Sequence, residues 1–522
     1  MNQEEIKKKQ KRVMVYVMII SLICVVGVSY AFFTAGMSSE TSTTVRADAG
    51  TMKITYDGGK DINLAGIYPK DDVWATKTIT ITGNNTTDAE MYYKLTLVVD
   101  SNTFKTDDPL QYELVSTNTS TNGDIIPNIS KTDITGTSIE LGSGHFVKAN
   151  NAKHTYLLKI YYPKKATSQN ANQGAAFSAH VEITSAKAPT VINLVKAIRA
   201  NNEVKAPITT PGAAVSTASE ALLASTEDDY GTSYYFRGAV TNNYVEFANK
   251  CWRIVRVGGD GSVKLILHND NTTGVANPCD AANNSASAAF ARYSGTTYKS
   301  AFNTNYNDNA YVGFKFGTVG SSTYEATHAN TNNSTILTNL EAWYNNNDNF
   351  KKYEKVIADT VWCNDKTNVT DTTYNPWNMS NVNGLGYGTN TTYYGATQRL
   401  VSKSNSAGGT GPSLKCNGEL SKIASKVGLI TADELAYAGY AWNIGNTTTY
   451  LQENATDTYW WSLSPGIFVG SSAGVWRVGG SNGGLNRSDV DYTGGLRPSI
   501  SLKSTTSVTG EGTSSSPYII SM

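Results

Sequence analysis

The sequence predicts a multidomain protein with an N-terminal membrane helix, an all-β sandwich and a C-terminal α+β domain. Three observations lead to this fold class. At 522 residues, the chain is longer than one ordinary domain. An apolar run follows a basic cluster at the N-terminus, and strand-like segments separated by turn residues fill most of the remainder. The predicted segments are 1–33 for a transmembrane anchor or signal peptide, 34–186 for the sandwich, 187–228 for a linker and 229–522 for the last domain.

The composition limits the classes of partner. Charged residues make up only 16% of the chain, and 43 basic residues balance 43 acidic ones. No net field therefore favours nucleic acid, and no nucleic-acid partner is expected. Tyr, Asn, Thr, Ser and Gly are abundant instead, which is typical of β-rich extracellular domains with long loops.

The N-terminus predicts export. Residues 13–33 are free of charge, and a helix of that length is about 31 Å long, enough to cross the hydrocarbon core of a bilayer. The basic cluster before it, at residues 7–12, places the N-terminus inside and everything after residue 34 outside. Small residues at Ser29 and Ala31 also suit a signal-peptidase site. We expect a cell-surface protein, either anchored in the membrane by this helix or secreted.

Cysteine usage agrees with export. Cys24 lies within the apolar run, and an even number of cysteines follows outside it, which is typical of disulfides. Sequence alone permits three pairings of the four. We favour Cys251–Cys279 and Cys363–Cys416, because each pair closes one long Asn-rich excursion. A zinc site built from the four thiolates is the weaker alternative, since the chain has no short Cys-x-x-Cys pair.

The segment from 34 to 186 has strand-like patterns at regular intervals. Five runs alternate or are continuously apolar over strand lengths: 52–56, 78–82, 92–99, 155–162 and 180–184. Short strands over about 150 residues predict a two-sheet sandwich. The motifs Tyr30-Ala31-Phe32-Phe33-Thr34, Ala49-Gly50-Thr51-Met52-Lys53-Ile54 and Tyr68-Pro69 resemble those of the camelysin and biofilm-fibre family of exported β-sandwich proteins. The resemblance covers residues 28 to about 110 and implies a surface stalk or a fibre-forming module.

The segment from 187 to 228 is interpreted as a connector. Residues 189–198 could form a short amphipathic helix, and Pro207, Pro211 and Gly212 with the Ala/Ser/Thr run after them are typical of a linker. A domain boundary is therefore expected here.

The last domain opens with a predicted hairpin. Residues 251–257 and 263–267 flank the turn Gly258-Gly259-Asp260-Gly261, and a further strand is expected at 244–247. Three helices are predicted after it. Their apolar stripes begin at Ile336, at Phe350 and at Leu435, the last behind a capping box of Thr431 and Glu434.

Five motifs follow one another along the last domain: Trp252-Arg253, Leu429-Ile430-Thr431-Ala432-Asp433-Glu434, Trp461-Ser462-Leu463-Ser464-Pro465, Val475-Trp476-Arg477-Val478 and Gly495-Leu496-Arg497-Pro498. In this order they resemble the C-type-lectin fold of the formylglycine-generating-enzyme type, and they are most similar to the variable proteins that retroelements diversify. The resemblance spans residues 229 to 520. It implies that mutations at adenines, chiefly in asparagine codons, exchange surface residues. Such codons do not become Lys, Glu, Gln, Met or Trp when their first two bases change.

The resemblance places a ligand-binding surface in the last sixty residues. Bulky residues such as Trp476 and Leu485 alternate there with Gly, Ser, Asn, Asp and Arg, so a packed frame is expected to display exchangeable side chains. The expected binding residues contain none of the five excluded types. They are Gly466, Ile467, Val469, Ser471, Ser472, Gly474, Gly480, Ser481, Asn482, Asn486, Arg487, Ser488, Asp489, Asp491 and Thr493.

The expected function is therefore that of an adhesin or receptor-like protein, which binds a protein or glycan on another cell or phage. The alternative is a structural biofilm-matrix or fibre protein without a variable ligand site. The chain has no cysteine after Cys416, so the activity of formylglycine-generating enzymes is not carried over. Two Gly-x-Ser-x-Gly matches, at 470–474 and 479–483, have no histidine after them, as a nucleophile elbow would need. No catalytic residue, cofactor or metal is expected.

Overall fold

The computed structural model describes residues 43–48, 51–86, 90–118, 122–185, 191–215, 220–270, 275, 277–382 and 390–521. The chain divides into two compact units, Met1–Pro189 and Thr190–Met522. Each unit has its own hydrophobic core.

Among the described residues, the first unit contains ten strands. These are β1 Thr43–Asp48, β2 Thr51–Asp57, β3 Ile62–Ala65, β4 Lys70–Asn85, β5 Met91–Asn102, β6 Gln111–Ser116, β7 Ile129–Asp133, β8 Ser138–Phe146, β9 Ala149–Tyr162 and β10 Ala176–Ser185. They form one sheet in the order β1-β2-β4-β9-β6-β7 and a second in the order β3-β10-β5-β8. The 3-10 turn Asn170–Asn172 precedes β10.

Alternation along the strands creates the core of this unit. In β4, Ile79 and Ile81 are fully buried while the threonines between them point to the other face. Leu95 and Leu97 of the second sheet belong to the same buried cluster, so the two sheets face each other across one core. This arrangement is consistent with the predicted β-sandwich, and all five predicted strands are present. β1, β3, β6, β7 and β8 were missed because polar residues such as the Ser-Lys-Thr of β7 interrupt their patterns.

The second unit contains nineteen strands among the described residues. The first ten are β11 Ile192–Asn193, β12 Ala221–Asp228, β13 Gly231–Gly238, β14 Tyr244–Phe247, β15 Lys250–Val257, β16 Val263–Asn269, β17 Lys299–Ala301, β18 Lys315–Phe316, β19 Asn332–Asn333 and β20 Thr360–Cys363. The others are β21 Thr392–Tyr393, β22 Lys422–Ser425, β23 Trp460–Val469, β24 Ser472–Val478, β25 Leu485–Asp489, β26 Thr493–Gly495, β27 Ser499–Leu502, β28 Ser507–Thr509 and β29 Tyr518–Ser521.

Two sheets dominate this unit. The larger has nine strands, with β11-β28-β29-β14-β15-β13-β12 in order and β16 joining β15 to β27. The smaller has six, with β17-β26-β23-β24-β25 in order and β21 beside β23. The pairs β18–β19 and β20–β22 stand apart. The predicted hairpin is confirmed as β15 and β16, and its turn closes with Gly258 N–H donating to Ser262 O at 2.8 Å.

The helices are short. They are α1 Leu194–Asn201, α2 Tyr324–Thr327, α3 Thr335–Asn345, α4 Asp348–Lys352, α5 Gly395–Leu400 and α6 Ala432–Ala438, with 3-10 turns at Ala281–Asn283, Asn309–Val312 and Glu419–Ser421. The capping box of α6 is confirmed: Thr431 and Glu434 satisfy each other's backbone N–H groups at 2.9 and 3.0 Å. The apolar stripe that starts at Phe350 predicts a longer helix than the structure has. α4 ends at Lys352, and Ile357 forms a β-bridge with Leu502 instead.

Part of the segment predicted as a linker belongs to the second unit. α1 packs Leu194 and Ile198 into the main core, and β12 pairs with β13 along all eight of its residues. Leu222 and Leu223 of β12 are buried. The polar, small-residue composition was typical of a linker, but pairing with a partner strand outweighs that local signal.

The predicted fold class needs correction. The residues that the structure describes are mainly β, with 41% in strands and 12% in helices, and their sheets are open. The helices therefore have a smaller share than the predicted fold class gave them. Among the residues that the structure describes, no helix has both the length and the apolar character needed to span a bilayer. The predicted membrane segment, 1–33, lies outside the described residues. The second unit differs from an α+β domain because polar Asn runs and turns end its helices early, while strands carry most of the core.

Both predicted disulfides are confirmed. Cys251–Cys279 joins the start of β15 to the segment after β16, and Cys363–Cys416 joins the end of β20 to the loop before β22. Disulfides form and persist in oxidising compartments, so their presence is consistent with an extracellular protein.

Candidate ligand-binding surface

The predicted binding residues lie on and around the meander β23–β24–β25. The turn Gly470-Ser471 joins β23 to β24, and Gly470 has a φ of 58° that suits glycine. β24 and β25 pair without interruption, with Gly474 opposite Asp489 and Trp476 opposite Arg487. Because side chains alternate along a strand, these four residues share one face of the sheet.

A group of aromatic rings covers this face, and we name Trp377, Trp442, Trp476 and Arg487 the aromatic face. Trp476 meets Trp442 edge-on with ring centres 5.4 Å apart, and Trp442 lies 5.3 Å from Trp377. The guanidinium of Arg487 lies 4.7 Å from the centre of the Trp377 ring, within the range of a cation–π contact.

One amide fixes two of these rings. Asn405 Oδ1 accepts hydrogen bonds from the indole N–H groups of both Trp377 and Trp442, each at 3.0 Å. Asn405 is exposed and has a φ of 60°, a conformation that asparagine tolerates better than most residues. The two indoles are therefore held in place before any ligand arrives.

The electrostatics of the aromatic face centre on Arg487. Burial against the rings lowers the pKa of Arg487, whereas nearby Asp489 raises it. The side chain stays half-exposed, so it can reach a ligand. Beneath it, Trp476 is fully buried, and its Nε1–H has no hydrogen-bond partner among the described residues.

The opposite face of the hairpin is also polar. Arg477 Nε donates to Ser488 Oγ at 2.9 Å, and its guanidinium lies 4.9 Å from the Tyr459 ring. The buried Tyr459 hydroxyl and Asp491 Oδ1 have no hydrogen-bond partner within the described part of the chain. Tyr492 beside them is 58% exposed. The hairpin thus offers polar groups on both faces.

The structure separates the predicted residues into exposed and buried sets. Eleven are exposed or half-exposed: Val469, Ser471, Ser472, Ser481, Asn482, Asn486, Arg487, Ser488, Asp489, Asp491 and Thr493. Four are buried: Gly466, Ile467, Gly474 and Gly480. The exposed set is divided between the two faces of β25, two turns and β26, so it is not one continuous patch.

Ile467 corrects the predicted surface. It is fully buried in a cluster with Val369, Tyr374, Val382 and Tyr393, so it packs rather than contacts a ligand. Its place in the sequence between Gly466 and Phe468 resembled a loop, but β23 extends through Val469 and is buried along its whole length up to Phe468.

Gly480 is also structural. A Cβ at this position would lie 2.4 Å from the Thr458 carbonyl oxygen, so no larger residue fits without a backbone shift. The turn around it is anchored by Gln452 Nε2, which donates to the Gly479 carbonyl at 3.2 Å, and by Asn446 N–H, which donates to Asn482 O at 2.8 Å. Ser481 and Asn482 are thus displayed on a fixed turn.

Trp377, Asn405 and Trp442 were missed by sequence reasoning. They come from Asn-rich segments far upstream of the hairpin, and each looks like an ordinary loop residue in its local context. A tryptophan within an Asn- and Ser-rich segment was the available signal, because such a large apolar ring needs a packing partner.

Several large residues of the second unit have structural roles. Five tryptophans are almost fully buried: Trp252, Trp343, Trp460, Trp461 and Trp476. Arg497 donates to the carbonyls of Leu267 at 3.0 Å and Leu451 at 2.5 Å.

Within the described ranges, no three His, Cys, Asp or Glu side chains come together in a way that could hold a metal ion.

No protein-family model matches the sequence, and a search of curated proteins finds no match.

Proposed function

We propose that this is an exported ligand-binding protein whose aromatic face contacts a protein or glycan on another cell or phage. The observation that carries the proposal is the Arg487 guanidinium stacked 4.7 Å from Trp377 on a rigid sheet. Trp and Arg are the residues that most often dominate binding energy at protein interfaces. Here Asn405 fixes Trp377 by a hydrogen bond and Arg487 packs against that ring, so little side-chain entropy is lost on binding.

The sheet alternation supports exchangeable contacts. Val478 and Leu485 face each other at one end of the β24–β25 pair and are fully buried, whereas Asn486, Arg487 and Ser488 are half-exposed. Substitution at the half-exposed positions leaves the buried pair intact. We therefore propose that this is a variable protein of the retroelement-diversified type, with a C-type-lectin-like second unit, as its motifs resemble.

Sequencing the encoding locus in several isolates tests the diversification. We expect a neighbouring reverse transcriptase gene and copies of the last sixty codons that differ at Asn486, Arg487 and Ser488. Trp476 and Leu485 should stay constant, because they are fully buried. Copies that vary at Trp476 as often as at Arg487 would contradict the proposal.

A binding measurement tests the surface itself. Purified full-length protein is labelled and incubated with a panel of bacterial cells and phage particles, and bound label is quantified. We expect the Arg487→Ala and Trp377→Ala variants to lose at least tenfold in apparent affinity for the particle that binds best. Arg199→Ala is the matched control, since it removes another exposed arginine stacked on an aromatic ring, Tyr234, at 4.1 Å.

Two outcomes of the binding measurement would contradict the proposal, one the function and the other the site. If no particle in the panel retains the wild-type protein, the proposed function is wrong. If a particle retains wild type and Arg487→Ala equally, the function stands but the aromatic face is not its site.

A further inference from the structure

A second concave surface lies in the second unit, away from the predicted binding residues. It is a cleft of about 690 Å³, within the range of about 300–1,000 Å³ that is usual for small-molecule sites. Its walls are the β14–β15 turn, the residue that follows β16, the segment around Tyr293 and the connection between α3 and α4. None of the residues predicted to bind a ligand lines it.

A buried ion pair forms the floor of the cleft. Lys250 Nζ contacts Asp270 Oδ1, and the two side chains are 9% and 5% exposed. The other carboxylate oxygen of Asp270 accepts from Trp343 Nε1 at 3.0 Å and from the Arg292 backbone N–H at 3.1 Å. The ion pair is therefore held rigidly. An ammonium has three N–H donors, and the contact with Asp270 takes one of them.

The rim of the cleft is rich in amides. Asn249, Asn346, Asn347 and Asn349 line it, and the first two are exposed. Each side-chain amide presents an acceptor oxygen and two N–H donors. Asn347 Oδ1 caps α4 by accepting from the Asn349 N–H at 3.1 Å, which fixes this part of the rim. Asn249 lies in a two-residue turn with a φ of 57°.

The charges in the cleft cancel. Its charged lining residues are Lys250 and Arg292 on one side and Asp270 and Asp348 on the other. A phosphate or another multiply charged ligand would meet as much repulsion as attraction here. Hydroxyl groups, in contrast, both donate and accept, and so match amides and an ion pair together. The half-buried ring of Tyr293 on the wall offers an apolar surface for C–H groups.

We propose that this cleft binds a neutral oligosaccharide. A sugar's hydroxyl groups would exchange hydrogen bonds with the amides of Asn249 and Asn346 and with the Lys250 ammonium, while its C–H face would rest on Tyr293. This proposal does not depend on the aromatic face being a binding site.

Saturation-transfer NMR of the full-length protein tests the proposal with three neutral probes: cellohexaose, maltohexaose and the N-acetylglucosamine hexamer. We expect saturation transfer to at least one probe, with at least fivefold weaker binding in Asn346→Ala and in Asn249→Gly. Glycine suits the positive φ of residue 249, so Asn249→Gly removes the amide without straining the turn.

The controls distinguish this cleft from other surfaces. Asn345→Ala removes an exposed amide next to Asn346 that does not line the cleft, and Arg487→Ala changes the aromatic face; both should bind the probe as wild type does. Thermal melts of each variant establish that it is folded. If no probe receives saturation, or if Asn346→Ala and Asn249→Gly bind as well as Asn345→Ala, the proposal is overturned.

Discussion

Arg399 binds Asp433 through two parallel hydrogen bonds, Nε to Oδ1 at 2.6 Å and Nη2 to Oδ2 at 2.8 Å. The remaining nitrogen, Nη1, donates to Asp365 Oδ2 at 2.8 Å. Both carboxylates are 3% exposed, so one guanidinium bridges two buried carboxylates. This geometry connects α5, α6 and the segment after β20.

Arg399→Met should therefore destabilise the second unit strongly. Removing one partner of a buried ion pair typically costs about 3–5 kcal/mol, because the remaining charge is buried without compensation. Urea unfolding of the full-length protein measures the change. Lys403→Met is the control: its ion pair with Asp371 is largely exposed, and its unfolding midpoint should stay close to that of wild type. Equal midpoints for the two variants would contradict the prediction.

The buried ion pairs of Glu434 should make the folded protein less stable in acid. Burial alone would raise the pKa of Glu434, but its ion pairs with Lys264 at 2.5 Å and Arg256 at 2.8 Å lower that pKa from 4.5 to about 2. The stabilisation is therefore complete above pH 4.5 and is lost as the pH falls from 4.5 towards 2. Its size is on the order of 3 kcal/mol.

Urea unfolding across this pH range checks the effect of Glu434. Glu434→Gln should be less stable than wild type at neutral pH but should lose less stability on acidification. Glu419→Gln, which changes a carboxylate that is 87% exposed, should keep the wild-type slope. A Glu434→Gln slope as steep as that of wild type would show that other groups cause the acid sensitivity.

Lys366 should make the stability of the folded protein depend on pH in the alkaline range. The side chain is fully buried, donates to Lys315 O at 3.0 Å and contacts Asn330 Oδ1. Burial lowers its pKa from 10.5 to about 7. Between these two values, the unfolded chain binds a proton that the folded chain does not, so stability rises with pH from about 7 towards 10.5.

Lys366→Met should remove this rise. Because tyrosines also titrate near pH 10, the informative quantity is the difference in unfolding free energy between wild type and variant from about pH 7 to 9.5. We expect the unfolding free energy of the wild type, relative to that of the variant, to increase steadily over this range. A constant difference would mean that Lys366 keeps its proton in the folded protein.

Ile467→Ala should destabilise the protein by about 2–5 kcal/mol, the usual cost of truncating a fully buried aliphatic side chain. Ser481→Ala, on an exposed turn, should change the unfolding free energy by less than about 0.5 kcal/mol. Both residues were predicted as surface contacts, so denaturant unfolding of the two variants separates them. If both substitutions changed the unfolding free energy by a similarly small amount, Ile467 would belong to the binding surface as first predicted.

Local signals predicted much of the frame. The β15–β16 hairpin, the capping box at Thr431 and Glu434, and the two disulfides depend on short-range patterns or on simple loop closure. Each of these features was visible within a few dozen residues of sequence.

Features that depend on distant partners were not predicted. β12 has a linker-like composition and becomes a strand because β13 pairs with it. Trp377, Asn405 and Arg487 meet only after the intervening chain has folded, so neither the ring contact nor the shared amide has a signature in sequence. The amide-lined cleft is likewise assembled from four separate segments.

The pairing of β11 with β28 has a consequence for biosynthesis. Ile192 lies opposite Val508 in the register of that pair, and β28 in turn pairs with β29 near the C-terminus. The opening strand of the second unit can therefore take its place only after the chain as far as β28 has left the ribosome. A premature stop that removes the closing two strands would leave backbone N–H and C=O groups of β11 and β14 unpaired, and the nascent product would become a target for proteases.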